Sequence, residues 1–353
     1  MTIGTKQSQQ LKKLGVVKRS AVTLSTAELI QTSFLPEAPR FPLVVKPKAE
    51  GLELAEWGKA NREWIHSTLY QHGAILFRGF AIGGASGLER FIQSTSTQWA
   101  EYREPATPRK QVSGNIFTST EYPPERIIFL HNENSHCDSW PAKLYFLCET
   151  PAIEGGETPL ADCRSLYARL DPAIKEKFLA RKILYVRHFG GDFGFSWKTV
   201  FGAESPSEVD NYCSNHGMQA EWRGDGTLRV RYVRPAALRH PVTGDAVWFN
   251  HGTFFNVANL DQSARETLLS QCAPEELPYN TYYGDGSLIE PSVVEYLRNA
   301  YLAETIRFPY EKGDMVLVDN MLVAHGRSSF KGPRRVLVGM SDPIQSTSST
   351  LQL

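Results

Sequence analysis

Residues 315–340 read MVLVDNMLVAHGRSSFKGPRRVLVGM, and this stretch holds three runs typical of β-strands within 26 residues. The runs are MVLVDN (315–320), LVAHG (322–326) and RVLVGM (335–340). Valine is frequent in strands, and the Asn, Gly and Pro residues between the runs favour turns. Strands spaced so closely are typical of a β-sandwich or a β-barrel.

Strand-like runs of the same kind recur upstream, whereas helical patterns are few. The upstream runs are AILFRGF (74–80), RIIFL (126–130), KLYFLCE (143–149), ILYVRHF (183–189), LRVRYVR (228–234) and AVWFN (246–250). Helical spacing of apolar residues predicts helices over 54–72, 170–182 and 290–304, the first ending at Gly73. The expected fold is mainly β, with helices packed outside the sheets.

The chain has 353 residues, of which 41% are hydrophobic, so it is long enough to bury a large core. Residues 1–40 are polar with weak periodicity, and we expect them to form a flexible N-terminal arm. One domain is predicted over 41–345, with a long insertion at about 190–300. Residues 346–353 form the expected C-terminal tail.

Charge and composition narrow the range of partners. Lys and Arg together number 38, as do Asp and Glu, so no net charge attracts nucleic acid or an anionic membrane. No stretch has the pattern of a secretory signal or the length of a membrane span, so a cytoplasmic protein is expected. The five cysteines are odd in number and form no CxxC pair, which favours free thiols over a disulfide framework.

The segment FLHNENSHCD (129–138) contains two candidate pairs of metal ligands. His131 and Glu133 are two residues apart, and so are His136 and Asp138. At the end of a strand, alternate side chains lie on one face, so either pair offers a metal one nitrogen and one oxygen. Spacing alone does not choose between the pairs.

A third ligand has to come from a distant part of the chain, and the strand-like run LVAHG supplies His325. Two imidazoles and one carboxylate on one face of an octahedron leave three positions open. That arrangement suits Fe(II) when it has to bind a cosubstrate and dioxygen together.

Several motifs resemble the taurine dioxygenase-like (TauD/TfdA) family of Fe(II)/2-oxoglutarate oxygenases, especially its clavaminate synthase-like members and the syringomycin-type amino-acid hydroxylases of nonribosomal peptide pathways. The resemblance covers roughly residues 41–345 and includes these motifs: HGAILFRGF (72–80), STEYPPERIIFLHNENSH (119–136), EGGETPLADCR (154–164), RHPVTGDAVWFN (239–250) and GDMVLVDNMLVAHGRSSFKGPRRVLVGM (313–340). It implies a double-stranded β-helix core, the jelly roll also found in cupins, and the cofactors Fe(II), 2-oxoglutarate and O2.

By this resemblance His131, Glu133 and His325 are the iron ligands, and Thr158 contacts 2-oxoglutarate. Thr158 lies 27 residues after His131, which matches the family's register, but only 22 after His136. The resemblance therefore selects the first pair. It also implies that Arg335 pairs with the distal carboxylate of 2-oxoglutarate, with Arg334 as the near alternative.

Two departures from the family's commoner pattern narrow the expected reaction and the expected substrate. Glu133 stands where Asp is commoner, as in the clavaminate-like subset, and an acidic ligand there argues against halogenation. Gly339 stands where the taurine enzyme has an arginine for the substrate sulfonate, which argues against a sulfonate bound in that way.

The resemblance implies a dioxygenase that hydroxylates an unactivated C–H bond and releases succinate and CO2. The expected substrate is an amino acid, free or tethered to a peptidyl carrier protein, in natural-product biosynthesis. Desaturation or ring closure would use the same cofactors. A metal hydrolase and a non-catalytic cupin-like protein are the alternatives from other classes.

Weaker candidates for contact with the substrate lie outside the ligand set. Asn134 and Ser135 follow the metal motif, and His251 follows a strand-like run. Arg229 and Arg231 alternate along another strand-like run and offer charge to a substrate carboxylate, although a solvated strand face is the commoner role.

Overall fold

The computed structural model describes residues 26–100, 109–120, 122–190, 195–273, 276–346 and 351–353. Most of the N-terminal arm predicted from the sequence, residues 1–25, lies outside these ranges. All statements below concern the described residues.

Strands account for most of the regular structure near the centre of the molecule. In chain order they are β1 (Ile30–Leu35), β2 (Ala38–Pro47), β3 (Ala74–Phe77), β4 (Gln111–Ser113), β5 (Ile116–Thr118), β6 (Ile128–His131), β7 (Ser139–Thr150), β8 (Glu154–Gly155), β9 (Leu160–Asp162), β10 (Ile183–Phe189), β11 (Gln219–Trp222), β12 (Leu228–Arg234), β13 (Leu238–Arg239), β14 (Ala246–Val247), β15 (Tyr279–Tyr283), β16 (Thr305–Ile306), β17 (Met315–Asp319), β18 (Val323–Arg327), β19 (Phe330–Lys331) and β20 (Arg335–Gln345).

Helices are short and lie between the strands. They are α1 (Thr26–Leu29), α2 (Leu54–Ala60), α3 (Arg62–His72), α4 (Gly84–Thr95), α5 (Cys163–Arg169), α6 (Pro172–Arg181), α7 (Trp197–Phe201), α8 (Pro206–Asn215), α9 (Gln262–Gln271) and α10 (Pro291–Ala303), and a 3-10 turn lies at Val257–Asn259. The Asp171 side chain caps α6 by accepting bonds from two backbone N–H groups of its first turn.

Two sheets form the centre of the fold. The larger has eight strands in the order β1-β2-β3-β17-β7-β20-β5-β4, and the smaller has four in the order β16-β9-β18-β6. A core cluster that draws on both sheets includes Phe146 and Val338 of the large sheet and Leu160 and Ala324 of the small one. The expectation of a mainly β protein with helices outside is confirmed.

Strand β17 consists mainly of consecutive apolar residues and does not alternate between apolar and polar residues, because both of its faces are covered. Val316 and Val318 belong to the core cluster that also holds residues of the small sheet. Met315 and Leu317 belong to a second cluster, which packs the other face of the large sheet against α2, α3 and α4. Successive side chains of a strand point to opposite faces, so a strand covered on both faces needs apolar residues throughout.

The structure corrects the predicted start of the folded domain. Residues 30–35, assigned to the flexible arm, form β1, which pairs antiparallel with β2. Four of the six β1 residues are exposed, so the hydrophobic pattern of this edge strand is weak. At the other end Leu351, in the predicted tail, is 1% exposed and belongs to the main core cluster.

The predicted helix over 54–72 is two helices. Asn61 separates α2 from α3, and its side chain donates to the backbone carbonyl of Trp57 at 2.7 Å. Asn competes in this way with the backbone bonds of a helix. Gly73 caps α3 in the left-handed conformation, with φ 76°, as predicted.

Three strands of the segment predicted as an insertion, about 190–300, form a separate sheet together with β10, which precedes that segment. Strands β11, β12, β10 and β15 pair in that order, antiparallel throughout, and all lie within residues 183–283. The five cysteines are free, as expected. Over the described ranges, no helix combines the length and the apolar character needed to cross a membrane.

Candidate metal centre

The two histidines of the predicted centre lie on neighbouring strands of the small sheet. His131 ends β6, and its partner in the antiparallel register with β18 is His325. Their ring centroids are 4.5 Å apart. Next to His325, a side chain at Gly326 would begin 2.6 Å from the Ile128 carbonyl, so glycine permits the close approach of the two strands.

Glu133 is held in place through its backbone by Asn320, which follows β17. The Asn320 Nδ2 atom donates to the Glu133 carbonyl at 2.9 Å, and its Oδ1 atom accepts from the Glu133 N–H at 2.8 Å. Asn320 is fully buried, and its backbone carbonyl accepts a further bond from the Asn132 side chain. This network fixes the turn that directs Glu133 back toward the histidines.

Ligand atoms from His131, Glu133 and His325 lie within 4.8 Å of one another. The Oε2 atom of Glu133 is 4.0 Å from Nε2 of His131 and 3.8 Å from Nε2 of His325. The Nδ1 atom of His131 lies 2.9 Å from the Phe129 carbonyl, so its proton belongs there and Nε2 carries a lone pair. Three electron-pair donors that converge at such distances fit a divalent cation.

Burial favours the neutral form of both imidazoles. It lowers the pKa of His131 and lowers the pKa of His325 well below its usual value. A neutral imidazole is the form that binds a metal, and two imidazoles with one carboxylate are the donor set of mononuclear non-haem iron sites. The donor chemistry of the residues present therefore fits Fe(II).

Thr158 lies in the same cavity as the two histidines, and of the two neighbouring arginines, Arg334 and Arg335, Arg334 lies there. Arg334 lines the cavity together with Thr158, His131 and His325. Its Nε donates to the Gly156 carbonyl at 2.7 Å, and its Nη1 donates to the Ser119 hydroxyl at 3.1 Å.

Arg335 does not reach this cavity, which contradicts the role that the resemblance implied for it. Its side chain is 53% exposed and donates to Glu149 at 2.6 Å. Arg334, directly before β20, and Val336 and Val338 within it line the cavity, whereas the Arg335 side chain between them points away from it. Of the two neighbouring arginines, the near alternative, Arg334, is the one that lines the cavity.

The second histidine-carboxylate pair does not join the centre. His136 is fully buried with its Nδ1 2.9 Å from the Tyr232 hydroxyl, and Asp138 lies 2.6 Å from Nδ1 of His216. Both residues therefore have structural partners, in agreement with the choice of the first pair.

The weaker candidates for contact with the substrate fall into two groups, one beside the metal centre and one remote from it. The Ser135 hydroxyl lies 2.6 Å from Nδ1 of His251, whose ring centroid is 5.6 Å from that of His131, so this pair lies beside the centre. Arg229 instead pairs with Glu221, and Arg231 is exposed, which leaves both as residues of a solvated strand face.

One residue at the centre was not anticipated from the sequence. Arg109 lines the same cavity, and its Nη2 donates to Oε2 of Glu133 at 2.8 Å. It precedes β4 in a segment without hydrophobic periodicity, so neither a motif nor a pattern marked it.

Comparison with known proteins finds similarity to the family that the sequence motifs resemble. Residues 39–341 match the model of the family described as taurine catabolism dioxygenase TauD, TfdA. Dapdiamide synthesis protein DdaC of Enterobacter agglomerans is 36% identical over 280 residues, which cover 79% of this chain and 85% of DdaC. A clavaminate synthase-like protein of Arabidopsis thaliana is 26% identical over 324 residues, covering 86% and 94%.

Solved structures share the fold at low identity. PvcB of Pseudomonas aeruginosa is 16% identical with a TM-score of 0.57, covering 94% of this chain and 99% of PvcB. A taurine dioxygenase of Burkholderia xenovorans is 15% identical with a TM-score of 0.51, covering 90% and 91%. The chain belongs to the TauD, TfdA family and is an Fe(II)- and 2-oxoglutarate-dependent dioxygenase.

Proposed function

We propose that His131, Glu133 and His325 hold the iron and that Thr158 and Arg334 bind 2-oxoglutarate. The observation that carries this proposal is the single cavity in which both histidines, Thr158 and Arg334 meet. The Tyr310 hydroxyl donates to the Thr158 oxygen at 2.9 Å, which orients the threonine.

The Arg334 side chain has the chemistry that a distal carboxylate requires. Burial lowers the pKa of Arg334, but a guanidinium stays charged at any pH at which a protein folds. Its planar N–H donors match a carboxylate in two-point contact.

When bound, Fe(II) with 2-oxoglutarate and O2 supplies the oxidising power that functionalises a C–H bond, while 2-oxoglutarate becomes succinate and CO2. The protein's contribution is positioning. Asn320 fixes the turn that carries Glu133, and Phe254 stacks on the His131 ring with centroids 4.6 Å apart. These contacts orient the ligands and cover the centre on one side.

The substrate proposed is an amino acid or an amino-acid derivative, free or tethered to a carrier protein, and the outcome proposed is hydroxylation in natural-product biosynthesis. Two names among the similar proteins support this class: DdaC is named for dapdiamide synthesis, and PvcB is described as an oxygenase from an isonitrile synthetic pathway. Family membership gives the hydrolase and the non-catalytic alternatives no support.

The proposal extends to the core architecture. The eight-stranded and four-stranded sheets would be the two faces of a double-stranded β-helix, the jelly roll expected from the family. Support comes from the core cluster with members in both sheets and from the antiparallel register of β6, β18 and β9.

Mass spectrometry of candidate amino acids tests the outcome. Each is incubated anaerobically with the protein, Fe(II) and 2-oxoglutarate and is then exposed to isotopically labelled O2. Hydroxylation adds one labelled oxygen atom to the product, whereas desaturation or ring closure removes two hydrogen atoms and adds none. Release of succinate without dependence on O2 would contradict the proposal altogether.

The neighbouring arginines give a matched pair that tests the cosubstrate site. Arg334→Met should weaken 2-oxoglutarate binding at least about 30-fold, because loss of a buried charge-assisted pair costs about 2 kcal/mol or more. Arg335→Met should change it less than about twofold, since that side chain lies in solvent beside Glu149. The charge-transfer absorption of the anaerobic Fe(II)-2-oxoglutarate complex measures both, and the reverse result would return the role to Arg335.

A further inference from the structure

A second cavity, with a volume of about 320 Å³, adjoins the metal centre. Ile128 of β6 lines both cavities, and Phe254, whose ring stacks on that of His131 with centroids 4.6 Å apart, lines the second. Its volume lies at the lower end of the range for small-molecule sites, which is about 300–1,000 Å³. The second cavity therefore has the position and the size to hold a small organic molecule beside the proposed iron site.

The walls of this second cavity are largely aromatic. Phe129 and Phe255 line it together with Phe254, and the Phe255 ring stacks on that of Tyr279, another lining residue, with centroids 4.8 Å apart. Aromatic walls stabilise an apolar group of a ligand because they remove its surface from water. The cavity therefore suits a ligand that carries an apolar side chain.

Three charged side chains are found among the described lining residues, namely Arg126, Asp261 and Arg298. Arg126 donates to Asp261 at 2.8 Å, and the two side chains of this pair are 46% and 57% exposed. Arg298 is half-buried on α10 and forms no ion pair or side-chain hydrogen bond within the described part of the chain. Its guanidinium is therefore available to an anion in the cavity.

Asn259 presents a polar group of the opposite kind. It ends the 3-10 turn Val257–Asn259, which packs against α10, and it lines the same cavity as Arg298. Its side-chain oxygen is buried and has no hydrogen-bond partner among the described residues. A buried amide oxygen without a donor costs free energy, so an N–H group of a ligand would stabilise it.

We propose that this cavity binds a free α-amino acid with an apolar side chain, with its carboxylate at Arg298 and its amino group at Asn259. This inference rests on the proposed function, because it takes the ligand of the cavity to be the molecule that is oxidised at the proposed iron site. It narrows the proposed substrate class to the free acid, since an amino acid that is tethered to a carrier protein as a thioester has no carboxylate for Arg298.

Calorimetric titration of the full-length protein, loaded anaerobically with Fe(II) and 2-oxoglutarate, tests the contact with Arg298. The probes are L-leucine, L-methionine and L-phenylalanine, each with its amide as the analogue that lacks the carboxylate. Arg298→Met should weaken binding of the best-bound acid at least about tenfold without weakening binding of its amide, because it removes a charge-assisted hydrogen bond. Failure of all three acids to bind, or equal affinity of the wild type and Arg298→Met for the best-bound acid, would overturn the proposal.

A matched control excludes a general effect of charge. Arg265→Met removes a half-buried arginine of α9 that is not among the described lining residues, and it should change the affinity for neither the acid nor the amide. An equal loss in Arg265→Met and Arg298→Met would show that net charge, and not contact with Arg298, determines binding. Iron content is measured first for every variant.

The amino group is tested with Asn259→Leu. This variant should weaken binding of the best-bound acid about fivefold and leave unchanged its analogue that lacks the amino group, because a single hydrogen bond is lost. The Asn259 side-chain oxygen bonds to no described residue, so circular dichroism should show an unchanged fold. Equal losses for the acid and for the analogue would contradict the contact between the amino group and Asn259.

A spectroscopic readout relates the cavity to the iron. The charge-transfer absorption of the anaerobic Fe(II)-2-oxoglutarate complex should shift when the best-bound acid is added, and Arg298→Met should need at least about tenfold more acid for the same shift. Binding through Arg298 without a shift would refute the assignment of the ligand as the substrate. Phosphopantetheine is the probe for the arm of a carrier protein, and binding of this probe, but of no acid, that is lost in Arg298→Met would assign the arginine to the phosphate of that arm.

The proposed function fails by a different result. If Arg334→Met binds 2-oxoglutarate as the wild type does, the cosubstrate assignment is wrong whatever the second cavity binds. If no acid binds the wild type while Arg334→Met loses 2-oxoglutarate, only the assignment of the second cavity is wrong.

Discussion

His131 with Glu133 and His136 with Asp138 have the same spacing, lie five residues apart, and differ completely in their surroundings. The first pair meets His325 from the neighbouring strand, with its donor atoms facing one another. The members of the second pair face different partners, Tyr232 and His216. Of these two pairs, the first has a third donor on the neighbouring strand, and we propose it as the metal site.

The turn between the pairs separates them. β6 ends at His131, and the chain then turns: Asn134 adopts φ 55°, and the Cys137 N–H donates to the Asn134 carbonyl at 2.9 Å. His136 then packs at 4.8 Å from the His251 ring and at 5.0 Å from the Phe255 ring. The second histidine therefore belongs to the core beside the centre.

The largest expected effect is on iron retention, and it distinguishes His131 from His136. His131→Ala should abolish retention of iron, because two remaining ligands do not hold a divalent ion against water. His136→Asn should retain it, since His136 is not among the converging donors. Iron content after gel filtration measures both, with circular dichroism to confirm folding. Loss of iron in His136→Asn and retention in His131→Ala would reverse the comparison.

Truncation of the Asn320 side chain should weaken the positioning of Glu133 and therefore the binding of iron. Asn320→Ala leaves the backbone N–H and carbonyl of Glu133 without their partner in a buried region, which should lower the free energy of unfolding by about 2–4 kcal/mol. Iron affinity should fall about 10- to 100-fold. Urea unfolding and metal titration are the measurements. Asn61→Ala, at a half-buried helix end, is the matched control and should cost about 1 kcal/mol without an effect on iron.

Acid sensitivity should reveal the structural role of the second pair. Burial lowers the pKa of His136 well below 6.5. As the pH falls below 6.5, this histidine is therefore protonated in the unfolded chain but not in the folded chain, and the free energy of unfolding decreases. His136→Asn should therefore lose about 1 kcal/mol less than the wild type between pH 6.5 and 5.5. Urea midpoints of the metal-free proteins measure this difference. His72→Asn serves as the control, and an unchanged pH slope in His136→Asn would contradict the expected burial.

The smallest effect concerns Asp138. Its side chain is 22% exposed and that of its partner His216 is 27% exposed, so water weakens the pair. Asp138→Asn should cost about 1 kcal/mol or less and leave the iron content unchanged. Urea unfolding and metal analysis check both statements. A loss of iron would show that the two pairs are coupled through the turn at Asn134.

Some features of this protein could be predicted from the sequence because they depend on the local pattern of apolar and polar residues. The strands at 183–189 and 228–234 have the bounds that the sequence predicts, since alternation of apolar residues is a property of the strand itself. The proposed metal ligands could be named from the sequence because their motifs resemble those of a known family, although Glu133 lies in the turn after β6 and not on the strand. The edge strand at 30–35 was missed because edge strands bury little and therefore show little pattern.

The sequence by itself determined the fold class, the family motifs and the residue types of the metal centre. Only the tertiary structure decided which arginine lines the cavity beside His131 and His325, since Arg334 and Arg335 are chemically identical and differ in the direction of their side chains at the start of β20. Only the tertiary structure brought Arg109 to Glu133, because contact between residues 24 positions apart depends on how the intervening chain packs and not on local spacing. Local pattern specifies the face of a strand, whereas the neighbours on that face are set by the pairing of distant segments.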